Sequence, residues 1–168
     1  MDTVLALVES GQANLNVLSS RGASLLSNAV ASVDSNVDIV RYLLSNETLN
    51  YGVNYRRKPV TLKWKVVYTF ARVLFQMNIV TSGIFANLAS DLGATSLQYA
   101  VRRGDAEIVE ILMRQGNVNP FSKNDIGRNA LSYCGAFPEI KSAIERVQLE
   151  RSRFQSSKAT MKSTKSFS

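Results

Sequence analysis

Residues 93–119, GATSLQYAVRRGDAEIVEILMRQGNVN, constrain the chain more than any other stretch. Leu97, Ala100 and Val101 make one apolar face at i, i+3, i+4. Arg102-Arg103-Gly104-Asp105 breaks it. Ile108, Val109, Ile111, Leu112 and Met113 then make a second face at helical spacing. Thr95 is placed to cap the first helix through its hydroxyl, and Asp105 to start the second. Gly116 stands just past the last apolar residue, where a left-handed closing residue belongs. Two short helices with a sharp turn cannot bury both faces alone, so neighbouring units of the same kind are required.

This pattern closely resembles the ankyrin repeat. GATSL stands where that family has G-x-T-P-L, Gln98 replaces its usual His, and EIVEILMRQGNVN matches the second helix and its exit. The resemblance implies an all-α, ankyrin-like solenoid of stacked helix pairs with short hairpin fingers. It extends over roughly residues 4–150, in about four units. Residues 1–16 resemble a half unit without a first helix, either a natural cap or the remainder of a longer array. A unit follows at 17–50: Gly22 to Leu26 parallels Gly93 to Leu97, and Ile39, Val40, Leu43 and Leu44 supply the second face. Its turn is two residues longer, within Ser32 to Asn36, and Asn46-Glu47 replaces the exit Gly. The unit at 88–119 is the one described above. The unit at 120–150 keeps the frame through Gly127, Ala130 and Leu131. Pro138 suits its second helix's first turn, and its charged outer side fits a C-terminal cap.

Residues 56–87 admit two accounts. One is a diverged unit, with Trp64 and Val67 in the first helix, a chain reversal between Thr69 and Val73, and an exit at Ile79 to Gly83. It keeps a period near the family's ~33 residues, and is preferred for that reason. The other is a single long helix, because Val66, Val67, Phe70, Val73, Leu74 and Met77 continue one stripe. A membrane span is rejected: polar residues interrupt Val66 to Ala86, and a span needs about 20 mostly apolar residues.

Chemistry is bounded by what is missing. The sequence has no His and a single Cys, Cys134. His-based nucleophile systems, His-based metal sites and an internal disulfide are thereby excluded, and the acids show no paired spacing. We therefore expect no catalytic, cofactor or metal site, and a reducing intracellular compartment, cytoplasmic or nuclear. The formal net charge is +7. Arg56, Arg57, Lys58, Lys63 and Lys65 form one acid-free basic segment, and residues 151–168 form another, a Ser/Lys-rich tail expected to be disordered.

Known ankyrin arrays mostly bind other proteins through the fingers and the concave face of the first helices. Carried over by position, the family's contact places include Arg21, Lys58, Leu92, Arg102, Arg103, Ile126, Arg128 and Phe137. Tyr55, Arg56, Arg57 and Phe121 complete the candidate partner-binding set. Arg102 and Arg103 are expected on the binding face rather than in a structural ion pair. The expected partner is another protein, or a domain of a longer parent chain, with an acidic or phosphorylated segment, since Arg pairs bidentately with carboxylate and phosphate. The alternative is an electrostatic adaptor for nucleic acid or anionic membrane, using residues 55–65 and the tail. Against that stands a structural account of Tyr55 to Lys65: a solvated finger, then a helix whose Trp64 packs inward.

Overall fold

The computed structural model describes residues 10, 14–32, 36–45, 52–115 and 118–165. Every named element among them is helical: α1 Leu25–Ala31, α2 Val37–Ser45, α3 Leu62–Gln76, α4 Gly83–Asp91, α5 Ser96–Arg103, α6 Ala106–Gln115, a 3-10 helix Ala130–Ala136, and α7 Pro138–Lys165. The expected half unit at 1–16 falls largely outside the described residues, as do Gly116 and Asn46-Glu47.

The pair α5–α6 forms as its sequence dictates. Thr95 and Gln98 make a reciprocal capping box at the start of α5, and Gly104 closes it in the left-handed region at φ 74°. The Asp105 carboxylate accepts from the Ile108 amide at 3.1 Å and starts α6. Gln98, at the family's His place, is 1% exposed. Its side-chain amide donates to the Ser122 and Arg128 carbonyls at 2.7 and 3.1 Å, tying the unit to the next loop.

The stack is built from three helix pairs among the described residues. Helix α1 packs on α5 and α2 on α6; α5 packs in turn on the 3-10 helix, and α6 on α7. One core runs through all three, including Leu26, Val30, Val40, Leu97, Ile108, Leu112, Ile140 and Ile144. At the first interface the buried hydroxyls of Ser27 and Ser96 meet at 3.1 Å.

The fingers locate residues 56–87, and overturn their assignment as a stacked unit. In the first finger the Ser19 amide donates to the Ala23 carbonyl, and the Gly22 amide donates to the Ser19 carbonyl. In the last, Asn124 pairs in the same way with Arg128 and Gly127. In the middle finger Arg57 plays that part: its amide donates to Ala94, and Gly93 donates back to it. The three glycines share φ values of 76°, 73° and 81°. The outer fingers have two residues at the tip, Ser20-Arg21 and Asp125-Ile126. The middle finger ends in Asp91-Leu92-Gly93, the counterpart of Asp125-Ile126-Gly127, but residues 58–90 intervene between Arg57 and Asp91. They form an insertion at a fingertip.

The insertion is a helical hairpin. Helix α3 runs through residues 69–73 without reversing, so the expected turn is absent. The chain reverses later, over residues 77–82, and α4 packs back on α3. None of the buried residues of the common core comes from this hairpin. Its own small core includes Tyr68, Ala71, Ala86 and Ala89. Thr61 makes no side-chain cap, and no acid sits in the first turn of α3.

A second correction concerns the tail. Helix α7 continues to Lys165 instead of giving way to a separate disordered segment at 151. The Arg151 guanidinium donates to the Val118 carbonyl at 3.2 Å and also to that of Met113, so the start of the tail is pinned to the α6 exit. Pro138 opens α7 at its first position, where its missing N–H costs nothing.

Candidate functional site

The inner face of α3 carries Trp64, Tyr68, Ala71 and Phe75 at i, i+4, i+7, i+11. Two of these rings meet arginines of the fingers. Arg21 stacks over Trp64 at 4.4 Å, and Arg128 over Phe75 at 5.1 Å. Between them, Arg57 lies 4.8 Å over the Tyr99 ring of α5, and Arg102 lies between Tyr99 and Tyr133 at 5.8 and 5.6 Å. A layer of alternating guanidinium groups and aromatic rings thus joins the hairpin to the fingers and first helices. Such contacts stabilise by about 0.5–2 kcal/mol each, more when water is excluded.

Asp91 is the anchor of the layer. One carboxylate oxygen accepts from Arg57 at 2.9 Å and the other from Arg102 at 2.7 Å. Arg102 also donates to the Asn87 side chain at 3.1 Å. Asn124 reaches across to the Ser90 carbonyl at 2.8 Å and to the Tyr133 hydroxyl at 2.9 Å. Burial pushes the Tyr68 and Tyr99 phenols above their ordinary range. Asp91 pushes in the same direction, while Arg57 opposes it.

This arrangement corrects several expected binding residues. Arg102 is in a structural ion pair, the outcome that its assignment to the binding face denied. Arg57 and Leu92 are buried, at 6% and 7% exposure. Arg56 is exposed but pairs with Asp125 at 2.7 Å, and the Tyr55 hydroxyl donates to the Gly22 carbonyl at 3.1 Å. The Arg103 guanidinium donates to the Val30 carbonyl of the neighbouring unit at 3.4 Å, and the residue stays exposed. Phe137 packs its ring against Gly104, where an added Cβ would fall 2.4 Å from it. On the surface remain Arg21, Lys58, Arg103, Phe121 and Arg128, with Ile126 half-buried. Trp64 packs inward, as the structural account of that segment holds.

The outer face of α3 is a different surface. Leu62, Val66, Phe70, Val73 and Met77 line it at exposures of 76, 61, 55, 42 and 64%. Phe85 of α4 meets Phe70 edge to face at 6.3 Å, and Ile79 and Ile84 extend the apolar area past the turn. Lys63 and Lys65 flank its N-terminal half, both exposed. Sequence reasoning saw part of this stripe, in Val66, Phe70, Val73 and Met77, and took it only as the sign of a single long helix. The signal that separates it is the second apolar face on the same helix: Trp64 to Phe75 inward, Leu62 to Met77 outward. One hairpin partner cannot cover both.

Among the described residues no cluster of acids and Cys has the makings of a metal site, and no helix is long and apolar enough to cross a membrane. Cys134 is buried, which raises its thiol pKa. Residues 92–125 match the family model of the ankyrin repeat. No curated protein matches the chain.

Proposed function

We propose that this ankyrin-repeat chain is a non-catalytic module that binds another protein, or a domain of a longer parent chain. The stack is the platform. The fingers and the hairpin grafted onto the middle one meet the partner. One observation carries this: the largest exposed apolar side chains concentrate on residues 62–85, outside the common core. Contiguous exposed apolar area of this kind marks interaction sites. At the family's usual contact place, along the first helices, Arg102 of α5 is already engaged here by Asn87 and Asp91 of α4. The partner is therefore met by the outside of α3 and by the exposed finger residues Arg21, Lys58, Phe121 and Arg128. The buried thiol suits a reducing intracellular compartment.

A photo-crosslinking side chain at Phe70, at Arg21, or at Glu145 on the outer side of α7 tests the proposal. In cells, adducts are expected at the first two sites and not at the third. Equal adducts at all three, or none, would refute it. The electrostatic alternative keeps one supporting observation, the exposed Lys58, Lys63 and Lys65 in an acid-free stretch. Arg56 and Arg57 are already engaged with Asp125 and Asp91. Nucleic-acid binding that falls steeply with salt would favour that alternative.

A further inference from the structure

We infer that the outer face of α3 is a docking seam for an amphipathic helix with Asp or Glu beside its apolar positions. The inference rests on the protein-binding function above and names the chemistry of the partner. Leu62, Val66, Phe70, Val73 and Met77 follow one another at steps of four, four, three and four residues. At ~1.5 Å per residue the seam is about 22 Å long, enough for four turns of a partner helix.

Its shape selects a helix. Val66, Thr69, Phe70 and Val73 stand at i, i+3, i+4, i+7, and together with Lys65 they line a shallow apolar depression. That diamond is the hole into which one side chain of a facing helix inserts. The Phe85 ring, held edge-on to Phe70, supports its far wall. A lipid surface offers no such projecting side chain.

Its charge selects an acidic partner. Residues 48–90 contain no Asp or Glu, and the charged residues of α3 are Lys63, Lys65 and Arg72. A second copy of the hairpin would bring only positive charge to the seam. Acids on the partner would meet Lys63 and Lys65 at the Leu62 end, where the helix dipole is also positive. That end fixes the partner's direction as well as its sign.

The test uses the full chain as bait for a displayed library of helical peptides. Enriched peptides are expected to be net negative, with apolar residues at helical spacing. Phe70→Glu should weaken their binding about tenfold or more, and so should Lys63→Glu with Lys65→Glu. The lysine variant also places acids in the first turn of α3, where the dipole favours them. Its melting temperature should therefore not fall, which separates lost binding from lost fold. Enriched peptides without a charge bias would overturn the inference. So would a concentration-dependent dimer dispersed by Phe70→Glu, or lysine-dependent binding to phosphatidylserine vesicles with no peptide enriched. Peptides that survive Phe70→Glu but are lost on Phe121→Ala would overturn the seam while leaving protein binding intact. An empty selection would also overturn it, and the crosslinks described above would then decide whether protein binding stands.

Discussion

Asp91 shows how one residue changes role with its surroundings. By position it is a fingertip residue, the counterpart of the exposed Asp125, and such places usually face a partner. The insertion turns it inward between Arg57 and Arg102, with its side chain 18% exposed. Removing one partner from a partly buried ion pair leaves charge uncompensated. Asp91→Asn is therefore expected to destabilise by about 3 kcal/mol, read as a lowered urea midpoint; a change under about 0.5 kcal/mol would show that the triad is only a surface contact. Tyr99 beside it behaves in the opposite sense. Its hydroxyl is buried and makes no hydrogen bond among the described residues, while its ring receives Arg57 and Arg102. Tyr99→Phe keeps the ring and removes the buried hydroxyl, so the urea midpoint at pH 7 should not fall. Burial raises the folded-state pKa of this phenol above its unfolded value. Its contribution is therefore complete below about pH 10 and is lost as pH rises beyond that. The substituted protein should lose less stability than the parent between about pH 10 and pH 11; parallel losses would contradict this.

At the scale of elements, most of the stack was legible and the hairpin was not. Thr95, Gly104, Asp105 and Pro138 act locally, on caps and first turns, and each does in the structure what its position implies. The apolar faces of α1, α2, α5 and α6 follow from helical spacing for the same reason. The insertion defeats this reasoning because residues 58–90 are about as long as one repeat of ~33 residues. Reading them as one diverged unit therefore keeps a plausible period. What it misses is the equivalence of Arg57 with Ser19 and Asn124, which is set by hydrogen bonds between segments distant in sequence. The candidate site suffered likewise: Arg102 was legible as a groove residue, but not the hairpin whose Asn87 and Asp91 engage it. One deletion tests the insertion. Joining Arg57 directly to Asp91 leaves Arg57-Asp91-Leu92-Gly93, a turn like Asn124-Asp125-Ile126-Gly127. The shortened chain should fold cooperatively and keep the helicity of α1, α2, α5, α6 and α7 by far-ultraviolet circular dichroism. A collapsed or aggregated product would mean that the hairpin is part of the stack.

The whole molecule is two cores of unequal reach. The larger passes through all three stacked pairs, and Leu97 sits inside it at 0% exposure. The smaller lies between α3 and α4, with Ala71 inside it at 0% exposure. The two are joined by the guanidinium–aromatic layer rather than by shared apolar packing. In a linear stack each unit is stabilised by its neighbours, so damage at the central pair removes both interfaces at once. An unpaired carboxylate forced into either core costs several kcal/mol, which is most of the stability of a domain of this size. Leu97→Asp should therefore abolish amide-exchange protection across α1, α2, α5, α6 and α7 together. Ala71→Asp should open α3 and α4 and leave the stack protected, since α1 packs directly on α5 and α2 on α6. The comparison is made residue by residue on the two variants under identical conditions. Loss confined to residues 93–115 in Leu97→Asp would show that the units fold independently. Loss spreading from Ala71→Asp into α1 and α5 would show that the layer of rings and guanidinium groups couples the two cores into one cooperative unit.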